Sequence, residues 1–214
     1  LIYNDCVLIC NGEIYNHIEL AKLSEVQVQT ESDCEIIIHL YRKFGMIHTL
    51  QLLDGVFAFV LYDIKLNRIF VARDQWGVRP LFKVVNYDWV KQCWQTWMFA
   101  SELKMLHNLC ADVEQFQPGT VSCFDLQNKE WLLRYENRYF TSSNIFENPT
   151  ILESDCSQLI KRTLTNAVQK RVQNTDRPVA CLLSGGLDSS LITALVNQHM
   201  PRGQLETYSI GMEG

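Results

Sequence analysis

A short stretch rich in serine and glycine near the C-terminus carries the residue types best suited to chemistry. Ser184-Gly185-Gly186 follows an apolar run, Val179 to Leu183, and Asp188-Ser189-Ser190 opens a helix-like run to about Gln198. Glycines allow a sharp turn with open N–H groups, and such groups with hydroxyls at a helix N-terminus bind anions. Asp188 would repel a bare phosphate, so it indicates Mg²⁺ between its carboxylate and a polyphosphate. The stretch predicts a magnesium-nucleotide site, the alternative being a glycine turn in an ordinary α/β protein.

This loop differs from the phosphate loop of the common NTPases, because no lysine follows its glycines. It resembles instead the S-G-G-x-D-S pyrophosphate loop of ATP pyrophosphatases, which release AMP and pyrophosphate. The resemblance implies that Asp188 is a Mg²⁺ ligand and that the following residues contact ATP: Ser184, Gly185, Gly186, Asp188, Ser189 and Ser190.

Composition sets the broad class. The chain has 214 residues, enough for one large domain or two small ones, and its 47% hydrophobic and 20% charged residues are ordinary for a globular enzyme. A net charge of -5 argues against a nucleic-acid partner. There is no membrane-spanning run or signal peptide, so a cytosolic location without membrane association is expected. The eight cysteines include no C-x-x-C pair, which favours buried free thiols over disulfides or zinc.

A second group of polar residues follows Val7 to Cys10, a run that predicts a buried strand ending at Asn11-Gly12-Glu13. On its own, Asn-Gly favours a hairpin turn over a site. The longer string N-G-E-I-Y-N-H, from Asn11 to His17, resembles the glutamine-hydrolysing domain of asparagine synthetases, in which it frames the glutamine pocket. That resemblance implies that the Asn11 side-chain amide and the Gly12 N–H are oxyanion donors and that Glu13 binds the α-ammonium of glutamine.

A second ammonium ligand is implied further along. Apolar spacing predicts helices over 17–23 and from about Cys34 to Phe44, and Ser32 or Asp33 could cap the second. Ser32-Asp33-Cys34-Glu35 matches the synthetase family's ligand at Asp33, which favours binding over capping. His39 is expected to be a surface or packing histidine.

The pattern in the middle of the chain predicts a series of strands. Residues 56–63 and 68–74 predict a hairpin, and 82–85, 97–102, 117–126 and 131–139 predict further strands. The stretch from Arg73 to Leu81 matches the family's R-D-x-x-G-x-x-P-L element, in which we interpret Arg73-Asp74 as a structural ion pair. The Trp-rich segment from Asn86 to Thr96 is expected to be an added loop or an erroneous insertion.

Two domains are predicted. Residues 1–140 are expected to form a glutaminase domain lacking its N-terminal part, with the αββα sandwich of N-terminal nucleophile proteins. Residues 141–150 are a linker, and 151–214 begin a doubly wound parallel α/β domain of the ATP-pyrophosphatase type. Its first helix, from Leu152, has an apolar face of Cys156, Leu159, Ile160, Leu164, Ala167, Val168 and Val172.

The resemblance implies glutamine-dependent asparagine synthesis. Glutamine hydrolysis would release ammonia, and Mg²⁺-ATP would adenylate the β-carboxylate of aspartate, which ammonia then attacks; ammonia must pass between the halves shielded from water. The family also places Leu182 and Ile210 against adenosine, through backbone and packing contacts.

Two features set this chain apart from a complete enzyme of that family. The family's nucleophile is an N-terminal cysteine, whereas this chain begins with Leu1, and neither Cys6 nor Cys10 is expected to replace it. The family's arginine for the glutamine carboxylate would lie upstream, and the segments that bind aspartate would lie after Gly214. The chain is therefore predicted to be the middle of a larger enzyme and inactive by itself.

Two alternatives stay open. One is a non-catalytic short paralogue that binds glutamine or nucleotide or regulates a full-length relative. The other is an amidating ligase of the β-lactam synthetase type, against which Asn11, Glu13 and Asp33 argue. The residues do not decide the acceptor or the oligomeric state, and a homodimer stays open.

Overall fold

The computed structural model describes residues 1–88, 93–106, 113–128, 130–141, 153–175 and 177–211. The chain divides into two compact units, Leu1–Ser143 and Asn144–Gly214. Except for Thr141, the predicted linker lies outside the described residues. No helix within the described ranges combines the length and the apolar character needed to cross a bilayer.

Antiparallel strands form the centre of the first unit. In chain order they are β1 (Ile2–Tyr3), β2 (Cys6–Ile14), β3 (Gly55–Asp63), β4 (Arg68–Arg73), β5 (Phe82–Asp88), β6 (Cys93–Ala100), β7 (Val113–Gln115), β8 (Thr120–Gln127) and β9 (Glu130–Arg138). One sheet has the strand order β1-β2-β3-β4-β8-β9, and a second has the order β6-β5-β7. The predicted β3–β4 hairpin and the later strands are confirmed.

Helices cover one face of the larger sheet. They are α1 (His17–Leu23), α2 (Glu35–Phe44) and α3 (Met46–Leu52), followed later by a short 3₁₀ helix (Leu103–Met105). Residues on a strand alternate between faces. Phe57 and Phe59 accordingly pack with Ile37 of α2, whereas Ala58 faces the other side and packs with Phe116, next to the smaller sheet. The result is a helix-sheet-sheet sandwich, and the described residues do not form the outer helical layer that would complete an αββα arrangement.

The β2 strand differs from its prediction in two ways. It continues through Asn11-Gly12-Glu13 to Ile14, so these residues pair with β3 and do not form a turn. It is also not buried on both faces: Leu8 is 1% exposed and Ile9 is 73% exposed. A continuous apolar run does not reveal how many faces of a strand are covered, because alternate side chains point in opposite directions.

The Trp-rich segment is not a separate loop in its described part. Instead, β5 runs to Asp88 and β6 begins at Cys93, so the segment lengthens their hairpin, with an irregular register between Asn86 and Tyr87. Residues 89–92 lie outside the described residues.

Arg73 and Asp74 are structural, but each binds main-chain groups rather than the other. Both are buried. The Arg73 guanidinium donates to the carbonyl oxygens of Arg79, Phe116 and Gly77 at 2.7–2.8 Å. The Asp74 carboxylate accepts from the main-chain N–H groups of Phe57, Trp76, Val78 and Arg79. Burial lowers the pKa of Arg73, while the nearby charge of Asp74 opposes that shift. The predicted structural role is therefore found, but without a direct ion pair, because Asp74 lies just after β4 and its carboxylate is taken up by main-chain N–H groups.

The second unit is a β-α-β unit preceded by a long helix. Its elements are α4 (Glu153–Gln173), β10 (Ala180–Leu182), α5 (Leu187–Gln198) and β11 (Glu206–Tyr208). The two strands are parallel, with Cys181 opposite Thr207, as expected for the start of a doubly wound sheet. Val168 packs with Cys181 and Leu195, but Leu159 and Ile160 are exposed, so only the second half of the predicted apolar face of α4 is used.

Candidate functional site

The main chain of β2 presents a row of N–H groups on the side away from β3. Both main-chain groups of Phe57 bond to Asp74 and so point away from β2. Gly12 lies opposite Phe57, and a strand residue directs its N–H and C=O to the same side. The N–H and C=O groups of Gly12 therefore point away from β3. Leu8 and Ile14 lie an even number of residues from Gly12 on β2, so their N–H groups point to the same side. The Leu8 N–H donates to the Leu1 carbonyl and the Ile14 N–H donates to Asp33. The Gly12 N–H is thus directed outward, where it could donate to a ligand.

Gly12 also has a steric reason to be glycine. A Cβ atom here would lie 2.3 Å from the Val56 carbonyl oxygen and 2.7 Å from the Phe57 Cα atom. Both are backbone atoms of β3, which cannot move aside as a flexible side chain could. Any larger residue would therefore displace β2 from β3 and with it the outward N–H.

Asn11 is held by a residue that the sequence did not single out. Its side-chain Nδ2 donates to the Ser101 hydroxyl at 3.1 Å, just after β6. An amide nitrogen carries two donor hydrogens. One is used to fix the side chain, and the second can donate to an oxygen of a bound molecule.

The two carboxylates proposed for an ammonium group lie on neighbouring segments. Glu13 is half-buried on β2, and its carboxylate makes no hydrogen bond or ion pair with another described residue. Asp33 Oδ2 accepts from the Ile14 N–H at 2.5 Å. The alternative of Asp33 as a helix cap is wrong, since α2 begins after Cys34 and no side chain caps it. The fold therefore holds Asp33 against the residue that follows Glu13.

Asp33 also lines an open cavity of about 570 Å³. Its other walls come from α1 and from the segment between α1 and α2, including Lys22, Val26 and Ser32. Asn11, Gly12 and Glu13 do not line it. What joins Asp33 to β2 is the Ile14 hydrogen bond rather than this cavity.

The thiols near β2 are packing groups. Burial and the charge of Asp63 raise the pKa of Cys6 to about 11. A hydrogen bond with Cys10, together with burial, raises the pKa of Cys34, whose Sγ donates weakly to the Gly12 carbonyl at 3.8 Å. A thiol that stays protonated is a poor nucleophile. Cys6 and Cys34 therefore have the properties of structural residues.

Glu35 was missed by sequence reasoning. It is 2% exposed at the start of α2, and its carboxylate accepts from the His39 Nε2 atom at 2.9 Å. Its other donors belong to Gln29 and Thr30, in the segment that leads to Asp33. The spacing of Glu35 and His39, four apart on one helix, was the available signal.

In the second unit, the serine-glycine loop has the predicted strand-turn-helix form. Gly185 has φ +82°, a conformation that favours glycine, and α5 begins at Leu187 with Gly186 as its N-cap. The first helical hydrogen bond runs from the Ser190 N–H to the Gly186 carbonyl, so the N–H groups of the preceding turn have no intrahelical acceptor. The loop thus offers open amides, as an anion site requires.

Hydroxyl groups hold this loop in place. Ser184 Oγ lies 3.0 Å from Ser189 Oγ, which in turn lies 3.2 Å from the Gly186 carbonyl. Ser209 Oγ donates to the Leu183 carbonyl at 2.6 Å and thereby ties the ends of the two parallel strands together. This edge, at the carboxyl ends of the strands, is where open α/β sheets bind ligands.

Charged and apolar groups are exposed around the same loop. Asp188 lies in the first turn of α5 with its side chain exposed, as are Gly185, Gly186 and Ser190. Leu182 is 82% exposed and Ile210 is 100% exposed at the ends of β10 and β11. These exposed apolar side chains can contact an apolar surface of a ligand.

Both units of the chain match known protein families. Residues 2–144 match the family described as glutamine amidotransferase domain, and residues 159–214 match asparagine synthase. The chain is 37% identical to the human glutamine-hydrolysing asparagine synthetase over 96% of its length. It is 39% identical to that of Cricetulus griseus and 38% to a probable one of Acanthamoeba polyphaga mimivirus, again over 96%. It covers 39% of the length of each of these relatives.

Two solved structures share the fold. The glutamine phosphoribosylpyrophosphate amidotransferase of B. subtilis, complexed with ADP and GMP, matches 95% of this chain and 45% of its own, with a TM-score of 0.50 and 18% identity. The second, described as the allosteric regulatory enzyme of purine biosynthesis, has a TM-score of 0.51. These likenesses confirm the predicted N-terminal-nucleophile-type sandwich. The chain belongs to the glutamine amidotransferase family, and its similarity to glutamine-hydrolysing asparagine synthetases runs along nearly its whole length.

Proposed function

We propose that the full-length protein containing this chain is a glutamine-dependent asparagine synthetase. It would convert glutamine, aspartate, ATP and water into glutamate, asparagine, AMP and pyrophosphate. The observation that carries the proposal is that one chain holds, within matches to both families, an outward Gly12 N–H, Asp33 bonded to the Ile14 N–H, and an open-amide loop at 184–190. We assign residues 1–140 to the glutaminase half and 151–214 to the start of the synthetase half.

The glutaminase half would bind glutamine along β2. The Ile14 hydrogen bond holds Asp33 against the residue that follows Glu13, and together the two carboxylates would bind the α-ammonium of glutamine. The Gly12 N–H and the second Asn11 amide hydrogen would donate to the carboxamide oxygen as negative charge develops there. Such preorganised donors lower the barrier because they need no rearrangement during the reaction.

The synthetase half would activate the acceptor carboxylate. Aspartate attacks the α-phosphorus of ATP, pyrophosphate leaves, and ammonia then displaces AMP from the acyl-adenylate. The loop amides, with Ser184 and Ser189, would bind the departing pyrophosphate, while Leu182 and Ile210 would contact adenosine. The amide and hydroxyl contacts would stabilise the negative charge that develops on pyrophosphate as it leaves.

The donor set of the loop fits Mg²⁺. No group of three or more potential metal-ligating residues occurs among the described residues, but Mg²⁺ commonly uses one or two carboxylates together with substrate phosphates and water. Asp188, exposed beside the open amides, is the residue that would hold it. When bound, Mg²⁺ would neutralise part of the charge on the triphosphate.

A cytosolic location is part of the proposal. Six cysteines of the described ranges are free. Free thiols without disulfides are typical of reducing compartments.

The test is an isotope-transfer assay on the full-length protein. Glutamine labelled with ¹⁵N at the amide, aspartate and Mg²⁺-ATP are supplied together. The proposal expects ¹⁵N-asparagine with AMP and pyrophosphate in equal amounts. Release of ADP and phosphate, or labelled amide on another acceptor, would show a different ligase.

A further inference from the structure

A buried carboxylate lies close to the proposed glutamine site without being part of it. Glu35 accepts from the Gln29 N–H at 2.7 Å, the Thr30 N–H at 2.6 Å, the Thr30 hydroxyl at 2.5 Å and His39 Nε2 at 2.9 Å. Burial by itself would raise the pKa of Glu35, but the bonds from Thr30, His39 and Gln29 lower it to about 2. The carboxylate is therefore charged and fully committed at neutral pH.

The segment that Glu35 binds has little other attachment. Residues 27–31, between α1 and α2, are exposed, so they are not held by burial in the core. The main-chain N–H groups of Gln29 and Thr30 both point at the buried carboxylate. Glu35 thus acts as an internal anchor for an otherwise exposed stretch of chain.

A continuous set of hydrogen bonds leads from this anchor to Asp33. Thr30 Oγ1, which donates to Glu35, accepts from the Ser32 N–H at 3.2 Å. The Ser32 carbonyl accepts from the Glu35 N–H at 3.1 Å, which closes the turn around Asp33. Asp33 then accepts from the Ile14 N–H, beside Glu13. The stretch that carries Asp33 is therefore tied to Glu35 through Thr30 and Ser32, and to β2 through Asp33 itself and Cys34.

We propose that Glu35 is a positioning residue for glutamine binding, which ties down residues 29–30 and so holds the Asp33 carboxylate beside Glu13. The inference rests on the proposed role of Asp33 as a ligand for the α-ammonium of glutamine. It differs from a purely stabilising role in one respect: loss of the Glu35 charge should weaken glutamine binding selectively. Ammonia used directly as the nitrogen donor bypasses that site.

The test is Glu35→Gln in the full-length protein. The substitution keeps the shape of the side chain. It replaces one carboxylate oxygen, which accepts hydrogen bonds in the parent, with an NH₂ group that faces the same donors and cannot accept from them. We expect the KM for glutamine to rise about tenfold, which corresponds to the loss of one hydrogen bond to a charged group. The kcat for ammonia-dependent synthesis should stay unchanged. Equal losses in glutamine- and ammonia-dependent synthesis would show a merely structural role and overturn the inference.

The matched control is Glu31→Gln, because Glu31 is an exposed carboxylate in the same segment. It should leave the KM for glutamine unchanged. Where Glu35→Gln does not yield folded protein, Thr30→Val serves in its place, since Thr30 is exposed and the change removes only the hydroxyl between Glu35 and Ser32. A KM for glutamine that stays at the parent value in folded Glu35→Gln or Thr30→Val would overturn the inference.

Asp33→Asn separates this inference from the proposed function. If Asp33→Asn leaves the KM for glutamine unchanged, the proposed ligand role of Asp33 fails, and this inference with it. If Asp33→Asn raises the KM and Glu35→Gln does not, only the positioning role fails. In the double variant, we expect no rise beyond that of Asp33→Asn alone, because Glu35 acts through Asp33.

Discussion

The Asp33 carboxylate accepts a hydrogen bond from the main-chain N–H of Ile14, with 2.5 Å between Oδ2 and N. This bond joins the turn before α2 to the last residue of β2 and holds Asp33 next to Glu13. In the full-length protein, Asp33→Asn should raise the KM for glutamine by about tenfold or more, because a charge-assisted hydrogen bond contributes about 1.5–3 kcal/mol. Steady-state glutaminase assays measure the change.

Asp33→Asn preserves an oxygen that can accept from Ile14, so the fold should be retained. Glu31→Gln, which removes an exposed charge from the same segment, is the control and should behave like the parent. A glutamine KM that responds equally to both substitutions would show a general effect of negative charge rather than a specific ligand.

Gly12→Ala should destabilise the first unit. The new Cβ would lie 2.3 Å from the Val56 carbonyl oxygen, and overpacking of this kind costs about 1–3 kcal/mol. Urea denaturation followed by fluorescence should show the lower midpoint. Gly211→Ala is a suitable control, since a Cβ there meets no atom within 4 Å. Equal midpoints for the two variants would contradict the tight approach of β2 to β3.

Local signals were enough to predict the loop of the second unit. The turn at Gly185 and the start of α5 depend on glycines and serines within a few residues of each other, so sequence neighbours determine the structure. The same holds for α1, whose predicted and observed bounds are both 17–23. Neither feature requires knowledge of the rest of the fold.

The glutamine-site region was harder to predict because distant residues determine it. Asn11-Gly12 favours a turn in isolation. The strand nevertheless continues to Ile14, because it pairs with β3, in which Phe57, 45 residues further along the chain, lies opposite Gly12. Asp33 resembles a helix cap until Ile14 is placed beside it. Resemblance to a family identified both positions, whereas local pattern alone identified neither.

Buried polar groups were the least visible from sequence. Nothing in the types or spacing of Arg73 and Asp74 shows that their partners are main-chain groups of other segments. Ser101 gave no signal either, since its bond to Asn11 spans two different sheets. Hydrogen bonds of this kind appear only once the strands are in place.

Acid should remove the stabilising contribution of Glu35. Its pKa is lowered from 4.5 to about 2 in the fold. A carboxylate with a lowered pKa stabilises the folded state above its unfolded pKa, and this contribution is lost as pH falls through the folded value, for a total of about 3 kcal/mol. The difference in unfolding free energy between the parent and Glu35→Gln should therefore be constant above about pH 5 and shrink between about pH 5 and pH 2. Denaturation at a series of pH values tests this, and a difference independent of pH over that range would refute it.

Asp188→Ala should separate the two proposed half-reactions. In the full-length protein, loss of this carboxylate removes the residue proposed to hold Mg²⁺ beside the open amides of α5, so asparagine formation should fall by at least about a hundredfold, equivalent to about 2.7 kcal/mol. Glutamate release should be spared, because Glu13 and Asp33 belong to the other unit. Asn197→Ala, at an exposed position in the same helix, is the control and should affect neither product. Equal loss of asparagine and glutamate with Asp188→Ala would contradict the division of labour between the two units.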